Sequence, residues 1–149
     1  MTPPGSQPFD IAITPDGLRA YVVNSGTDAF SIIDTSTNGV LDTIGLPDDS
    51  EPRGIAITPD GSRAYIANFG TDTVIVLNTF ANTVLATINL PLGSDPRDIA
   101  ISPDGYRAYV VNNGTALVMA IDTLSNTVIG SVPTGLAPSE IAITPILLF

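Results

Sequence analysis

At 149 residues the chain is long enough for one domain with a buried core, and its 44% hydrophobic and 13% charged content sets it apart from disordered chains. Fifteen Asp and Glu face five Arg, with no Lys and no His, so the net charge of −10 weighs against nucleic acid and anionic lipid as partners. With no Cys, disulfides, thiolate metal sites, iron–sulfur clusters and thiol nucleophiles are excluded, and without His so are the usual triads and zinc sites.

The N-terminal stretch Met1–Gln7 has neither the basic nor the apolar region of a signal peptide. The chain is therefore expected to be cytosolic or a piece of a longer exported protein. No apolar run approaches the roughly 18–20 residues of a membrane helix, and no membrane insertion is expected.

From Pro8 onward one unit repeats. Pro8-Phe9-Asp10-Ile11-Ala12-Ile13-Thr14-Pro15-Asp16-Gly17 returns from Pro52 to Gly61 and again from Pro96 to Gly105. A fourth copy begins Pro138-Ser139-Glu140-Ile141-Ala142-Ile143-Thr144-Pro145, after which Ile146-Leu147-Leu148-Phe149 replaces the expected Asp-Gly. The first two steps are 44 residues and the third is 42.

The first unit contains four short apolar runs, near Asp10–Thr14, Ala20–Asn24, Phe30–Asp34 and Val40–Ile44, each of strand length and rich in β-branched or aromatic residues. Pro-Asp-Gly after the first run suits a tight turn, because Pro presets φ, Asp bonds its own backbone and Gly takes positive φ. Asn24-Ser25-Gly26 and Thr37-Asn38-Gly39 are expected to turn the chain in the same way. Each unit thus predicts a four-stranded antiparallel meander. Continuous runs such as Ile75-Val76-Leu77 show that both faces of the meander are buried, which face-to-face stacking around an axis achieves.

The expected fold is all-β: a partial β-propeller of three four-stranded blades, at 8–51, 52–95 and 96–137, plus the first strand of a fourth at 138–149. Ile11, Ile55, Ile99 and Ile141 are expected on equivalent innermost strands, each covered by the next blade. Three blades leave open ends, so self-association to close the ring is expected, most simply as a dimer.

Ala20-Tyr21-Val22-Val23-Asn24-Ser25-Gly26-Thr27-Asp28, with its counterparts from Ala64 and Ala108, resembles the YVTN β-propeller repeat, as do Ile33-Asp34-Thr35 and Asn82–Ile88. The resemblance covers nearly the whole chain. It implies a propeller of about seven blades and, for function, a non-enzymatic binding or structural module of the cell envelope or surface. The alternative it leaves is a fragment or subunit of a dehydrogenase- or lactonase-like propeller enzyme whose catalytic residues lie outside this chain. An incomplete product without a separate role is a third reading.

If the strands run from the axis outward, the starts of the first strands and the second-to-third-strand loops share one face. That face would present Asp10, Arg53, Arg97, Asp98, Ser139 and Glu140, together with Ser25, Phe69 and Asn113. These positions vary between units while the scaffold repeats, so Arg53, Arg97, Asp10, Asp98, Phe69, Asn113 and Glu140 are the candidate ligand-binding residues. Arg53 and Arg97, in one slot of adjacent blades, suit a carboxylate, a phosphate or another small anionic or polar ligand. The competing reading is rim pairing with Glu51, Asp95 or Asp98, and a protein partner stays open.

Arg19, Arg63 and Arg107 recur in register and are expected to cover or pair with the Pro-Asp-Gly turn. Tyr21, Tyr65 and Tyr109 are expected to pack between blades with bonded hydroxyls, and Asn24, Asn68 and Asn112 to cap the turns. Asp28 and Asp72 do not supply the six to eight converging oxygens calcium needs, so no metal and no cofactor are expected. With no His and no phosphate-cradling loop, no catalytic residue is assigned and the chain alone is not expected to be an enzyme.

Overall fold

The computed structural model describes residues 4–145. They form three sheets of four antiparallel strands in chain order. The first contains β1 (Pro8–Ile13), β2 (Arg19–Asn24), β3 (Ala29–Asp34) and β4 (Gly39–Gly45). The second contains β5 (Pro52–Ile57), β6 (Arg63–Asn68), β7 (Thr73–Asn78) and β8 (Thr83–Asn89). The third contains β9 (Pro96–Ile101), β10 (Arg107–Asn112), β11 (Leu117–Asp122) and β12 (Thr127–Pro133). The chain is a partial β-propeller with β1, β5 and β9 innermost and adjacent. No helix among the described residues is long and apolar enough to cross a membrane.

The Pro-Asp-Gly turns form for the reasons the sequence suggests. Gly17, Gly61 and Gly105 have φ of 74°, 74° and 78°. In the first blade Thr14 Oγ1 donates to Asp16 Oδ1 at 2.6 Å, and the same oxygen accepts the Leu18 amide at 2.9 Å. Those bonds favour the ionised carboxylate, so Asp16 is held below the usual carboxylate range, as are Asp60 by Thr58 and Asp104 by Ser102.

The other two junctions work differently from the expectation. Positive φ falls on Asp28 and Asn38, not on Gly26. Gly26, Gly70 and Gly114 instead lie against the loop entering their own blade: a Cβ on each would stand 2.2, 2.1 and 2.2 Å from the carbonyl oxygens of Gly5, Asp49 and Gly93. Asn24, Asn68 and Asn112 are fully buried at strand ends and do not cap turns; Asn24 Nδ2 bonds Ser31 Oγ at 2.9 Å.

Alternate residues of each second strand face opposite neighbours. Tyr21, Val23, Phe30 and Ile32 of blade one pack against Ile55, Ala64, Ile66, Ile75 and Leu77 of blade two. Tyr65, Ala67, Val74 and Val76 of blade two pack against Ile99, Ala108, Val110, Met119 and Ile121 of blade three. The innermost isoleucines are therefore covered by the preceding blade, not by the next one. Ile55 and Ile99 are buried, while Ile11, against which no blade packs among the described residues, is 56% exposed.

Polar clamps join the blades at the rim opposite the strand-entry face. Tyr21 Oη reaches Thr79 O at 3.0 Å and Asn82 Oδ1 at 2.9 Å, and Arg19 reaches the same carbonyl at 3.3 Å. Tyr65 and Arg63 repeat this on Thr123 O and Asn126 Oδ1. The recurring arginines thus tie each blade to the turn of the next, rather than pairing with the aspartate of their own turn. Arg107, on the last blade, bonds Asp122 at 2.7 Å.

Asp28 and Asp72 bind backbone. Asp72 Oδ1 and Oδ2 accept the amides of Asp95 and Gly93 at 2.8 Å each, and Asp28 takes those of Glu51 and Asp49. The third unit has Ala116 with the same positive φ, and the loop it meets is two residues shorter. Asp72→Ala is accordingly expected to cost about 1–2 kcal/mol, the worth of one or two amide bonds to a carboxylate, as read from a urea unfolding midpoint. Ala116→Asp should bring no comparable gain.

Residues 138–145 lie beside β9, where a fourth innermost strand belongs. Ile141 N donates to Asp98 Oδ2 at 2.8 Å, as Ile55 N does to Asp10 Oδ2 at 2.9 Å. The segment joins no sheet, because no further strand stands beside it among the described residues. The tail Ile146–Phe149 lies outside the described residues.

Candidate functional site

The starts of β1, β5 and β9 and of the fourth segment meet in a cavity of about 550 Å³ near the propeller axis. Its walls carry Phe9, Asp10, Arg53, Arg97, Asp98, Ser139 and Glu140. Each of these follows the repeated Pro by one or two places, so the repeat itself delivers four different residue pairs to one mouth. In blade two that pair is Arg53-Gly54, and a Cβ on Gly54 would stand 2.7 Å from Asp98 Cα. A side chain there would separate the second and third innermost strands.

The two arginines are organised by an aromatic ring. The Arg53 guanidinium carbon lies 3.8 Å from the centroid of Phe69 and 5.2 Å from that of Phe9, and Arg97 lies 5.6 Å from Phe69. The ring quadrupole attracts both cations, and the Nε atoms of Arg53 and Arg97 are buried without a hydrogen-bond partner among the described residues. Arg53 makes one long ion pair with Glu51, at 3.5 Å, while Arg97 makes none among the described residues. Rim pairing thus accounts for little of their charge.

Three carboxylates face them. Asp10 and Asp98 are braced: each accepts the amide of the following isoleucine on one oxygen and the amide of the equivalent isoleucine in the next repeat on the other. Asp98 is pushed up from the usual range, first by burial and further by the charges of Asp10 and Glu140. The Glu140 carboxylate is exposed and has no hydrogen bond among the described residues. Arrayed this way, the mouth can hold a small anion on the arginine edges and hydroxyl groups on the carboxylates.

Of the sequence candidates, Asp10, Arg53, Arg97, Asp98 and Glu140 meet here. Phe69 acts beneath the arginines. Asn113 does not line the cavity; its Nδ2 donates to Pro138 O at 3.0 Å and anchors the fourth segment. Ser25 is occupied through its backbone, which bonds Gln7 O. Phe9 was not singled out, although it fills the slot of Arg53 and Arg97 and so was legible from the repeat. No group of three or more His, Cys, Asp and Glu that could hold a metal ion occurs among the described residues.

Three laterally packed four-stranded blades with polar entry loops at the axis define a domain of the β-propeller class. The sequence profile of the family described as lactonase, 7-bladed beta-propeller, matches residues 48–132, more than half of the chain and most of blades two and three. The chain belongs to that family of propellers.

Among solved structures, hydrazine synthase of Kuenenia stuttgartiensis is 28% identical with a TM-score of 0.84, covering 94% of this chain and 40% of that one. A Bacteroides uniformis protein assigned as a 6-phosphogluconolactonase is 24% identical with a TM-score of 0.78, covering 93% and 44%. Virginiamycin B lyase of Staphylococcus aureus is 19% identical with a TM-score of 0.78, covering 91% and 44%. The last two show the fold alone. This chain spans less than half the length of each. No curated protein matches the chain.

The family match corrects the functional expectation. A non-enzymatic envelope module followed from resemblance in scaffold strands such as Ala-Tyr-Val-Val-Asn. Those positions serve blade packing and report the repeat, and a shared scaffold does not carry a shared function. The match to lactonase-type propellers favours the alternative, a portion of a propeller enzyme.

Proposed function

We propose that this chain forms the substrate-holding wall of a lactonase-like propeller enzyme, within which its repeats are of the YVTN type. The observation that carries the reading is the convergence of Arg53, Arg97 and Asp98, all inside the family-matched segment, on one cavity of about 550 Å³. In this reading Arg53 and Arg97 grip the anionic group of a sugar lactone or its opened acid. Asp10, Asp98 and Glu140 order its hydroxyls. Opening a lactone adds water to the acyl carbon, breaks the ring C–O bond and leaves a carboxylate and a hydroxyl. The chain supplies binding and orientation for that reaction, and water activation falls to residues outside it.

Calorimetric titration with 6-phosphogluconate, an opened-lactone probe, tests this. The chain should bind it, and Arg53→Ala and Arg97→Ala should each weaken binding about 10–100-fold, the range for losing a hydrogen bond to a charged group. Thermal stability should change little in either variant. No binding by the chain, or affinity unchanged from the parent chain in both variants, overturns the reading.

A further inference from the structure

The rim opposite the strand-entry face carries two further cavities, one at each junction between described blades. The first, of about 200 Å³ between blades one and two, is lined by Asp16, Leu18, Asp60 and Phe80 beside the Arg19 clamp. The second, of about 380 Å³ between blades two and three, is lined by Asp60, Asp104, Tyr106 and Leu124 beside the Arg63 clamp. Asp60 belongs to both, so the two cavities form one row along the rim.

The fold does not call for apolar residues in this row. Leu18, Phe80 and Leu124 are 62%, 76% and 85% exposed. The turn after β7 is held by the Phe80 amide, which donates to Asn78 Oδ1 at 2.9 Å, and the turn after β11 by the Leu124 amide, which donates to Asp122 Oδ1 at 3.1 Å. In blade one Ser36 takes this place, and its amide makes the same bond to Asp34 Oδ1 at 2.8 Å. The backbone makes the turn whatever the side chain is. Phe80 and Leu124 therefore present apolar surface that contributes nothing to the scaffold, and covering such surface is favourable.

Charge selects what can cover it. The hydroxyls of Thr14, Thr58 and Ser102 hold Asp16, Asp60 and Asp104 below the usual carboxylate range, so all three are ionised at neutral pH. Asp16 and Asp104 spend Oδ1 on their own turns and leave Oδ2 without a hydrogen bond among the described residues. Asp60 Oδ2 accepts only the Ser62 hydroxyl. The one guanidinium in each cavity is already engaged, Arg19 on Thr79 O and Arg63 on Thr123 O. Each cavity thus sets two carboxylates against one committed arginine, in a chain of net charge −10. An occupant has to bring positive charge and apolar surface together.

We propose that this rim binds an extended segment of another protein in which a Lys or Arg is flanked on both sides by apolar side chains. The basic residue seats on Asp60, the carboxylate common to both cavities. Its apolar neighbours lie on Leu18 and Phe80 at one junction and on Tyr106 and Leu124 at the other. Further basic residues meet the free oxygens of Asp16 and Asp104. The surface is on the opposite end of the blades from the arginine-lined mouth and does not depend on the lactonase reading.

Fluorescence anisotropy of the full chain with a labelled peptide of alternating Leu and Lys tests the proposal, beside a peptide of the same length with Ser for every Leu. The Leu–Lys peptide should bind at physiological ionic strength, and the Ser–Lys peptide about tenfold or more weakly, because it covers no apolar side chain. Phe80→Ser and Leu124→Ser should each weaken binding of the Leu–Lys peptide about tenfold, with melting temperatures unchanged as for exposed substitutions. Asp60→Asn, which keeps the oxygen that closes its turn, should weaken binding about tenfold through loss of a charged partner. Asp42→Asn makes the same change of net charge on the exposed outer strand β4 and should leave binding as it is. No binding, equal affinity for the two peptides, equal losses in Asp60→Asn and Asp42→Asn, or unchanged affinity in both Phe80→Ser and Leu124→Ser overturns the proposal. Equal affinity for the two peptides would identify the rim as a site for any polycation.

Discussion

Gly70→Ala should destabilise the chain by about 3 kcal/mol, although it adds one methyl group at a loop position with ordinary negative φ. The added Cβ would lie 2.1 Å from Asp49 O and 3.2 Å from its carbonyl carbon. The obstacle is backbone, and that backbone cannot retreat. Ser50 O accepts the Gly70 amide at 3.0 Å, and the Asp28 carboxylate holds the amides of Asp49 and Glu51 at 3.0 and 2.7 Å. Relief requires breaking some of these bonds, which places the cost at or above the usual overpacking range of about 1–3 kcal/mol. At this chain length each kcal/mol lowers the melting temperature by about 2–4 °C. Gly45→Ala is the control: nothing lies within 4 Å of its Cβ position, and it should be neutral. Equal melting temperatures for the two variants would refute the close-approach account.

Ile55→Ala should cost about 2–4 kcal/mol, the range for emptying a well-packed site. Ile55 is 5% exposed and belongs to the cluster that joins blade one to blade two, with Tyr21, Phe30, Ile66 and Leu77. Ile11→Ala, at the same place in the repeat, should cost under about 0.5 kcal/mol in the free chain, as an exposed substitution does. The contrast separates position in the ring from position in the sequence. Denaturant titration of both variants decides it, and similar losses would mean that the face of blade one is covered in the free chain.

Much of the scaffold was legible because a repeat reports itself. Four apolar runs per unit, Pro-Asp-Gly turns and continuous β-branched stretches demand a meander with two buried faces. The entry positions Asp10, Arg53, Arg97, Asp98 and Glu140 were legible as a group for the same reason: one slot in each unit leads to one end of the axis. The direction of burial was not legible. Ile55 and Ile99 carry the same flanking sequence whether the preceding or the next blade covers them, and only the twist and stacking of the sheets choose. The glycines of the Asn-x-Gly loops were misread as positive-φ glycines because the sequence marks a small residue without saying what approaches it.

The sequence by itself determined the all-β repeat, the strand count of each blade, the turn chemistry and the loss of His- and Cys-based catalysis. These rest on local φ/ψ preferences, hydrophobic pattern and residue inventory, which act within a few residues. Only the tertiary structure decided the rest. Arg19 and Arg63 bond a turn about 60 residues away and not the aspartate beside them, Asp28 and Asp72 bind backbone amides of a distant loop, and Asn113 braces the fourth segment and does not line the mouth. The physical reason is shared by all of these. Their partners are set by how one sheet stacks on the next, which neighbours along the chain do not reveal.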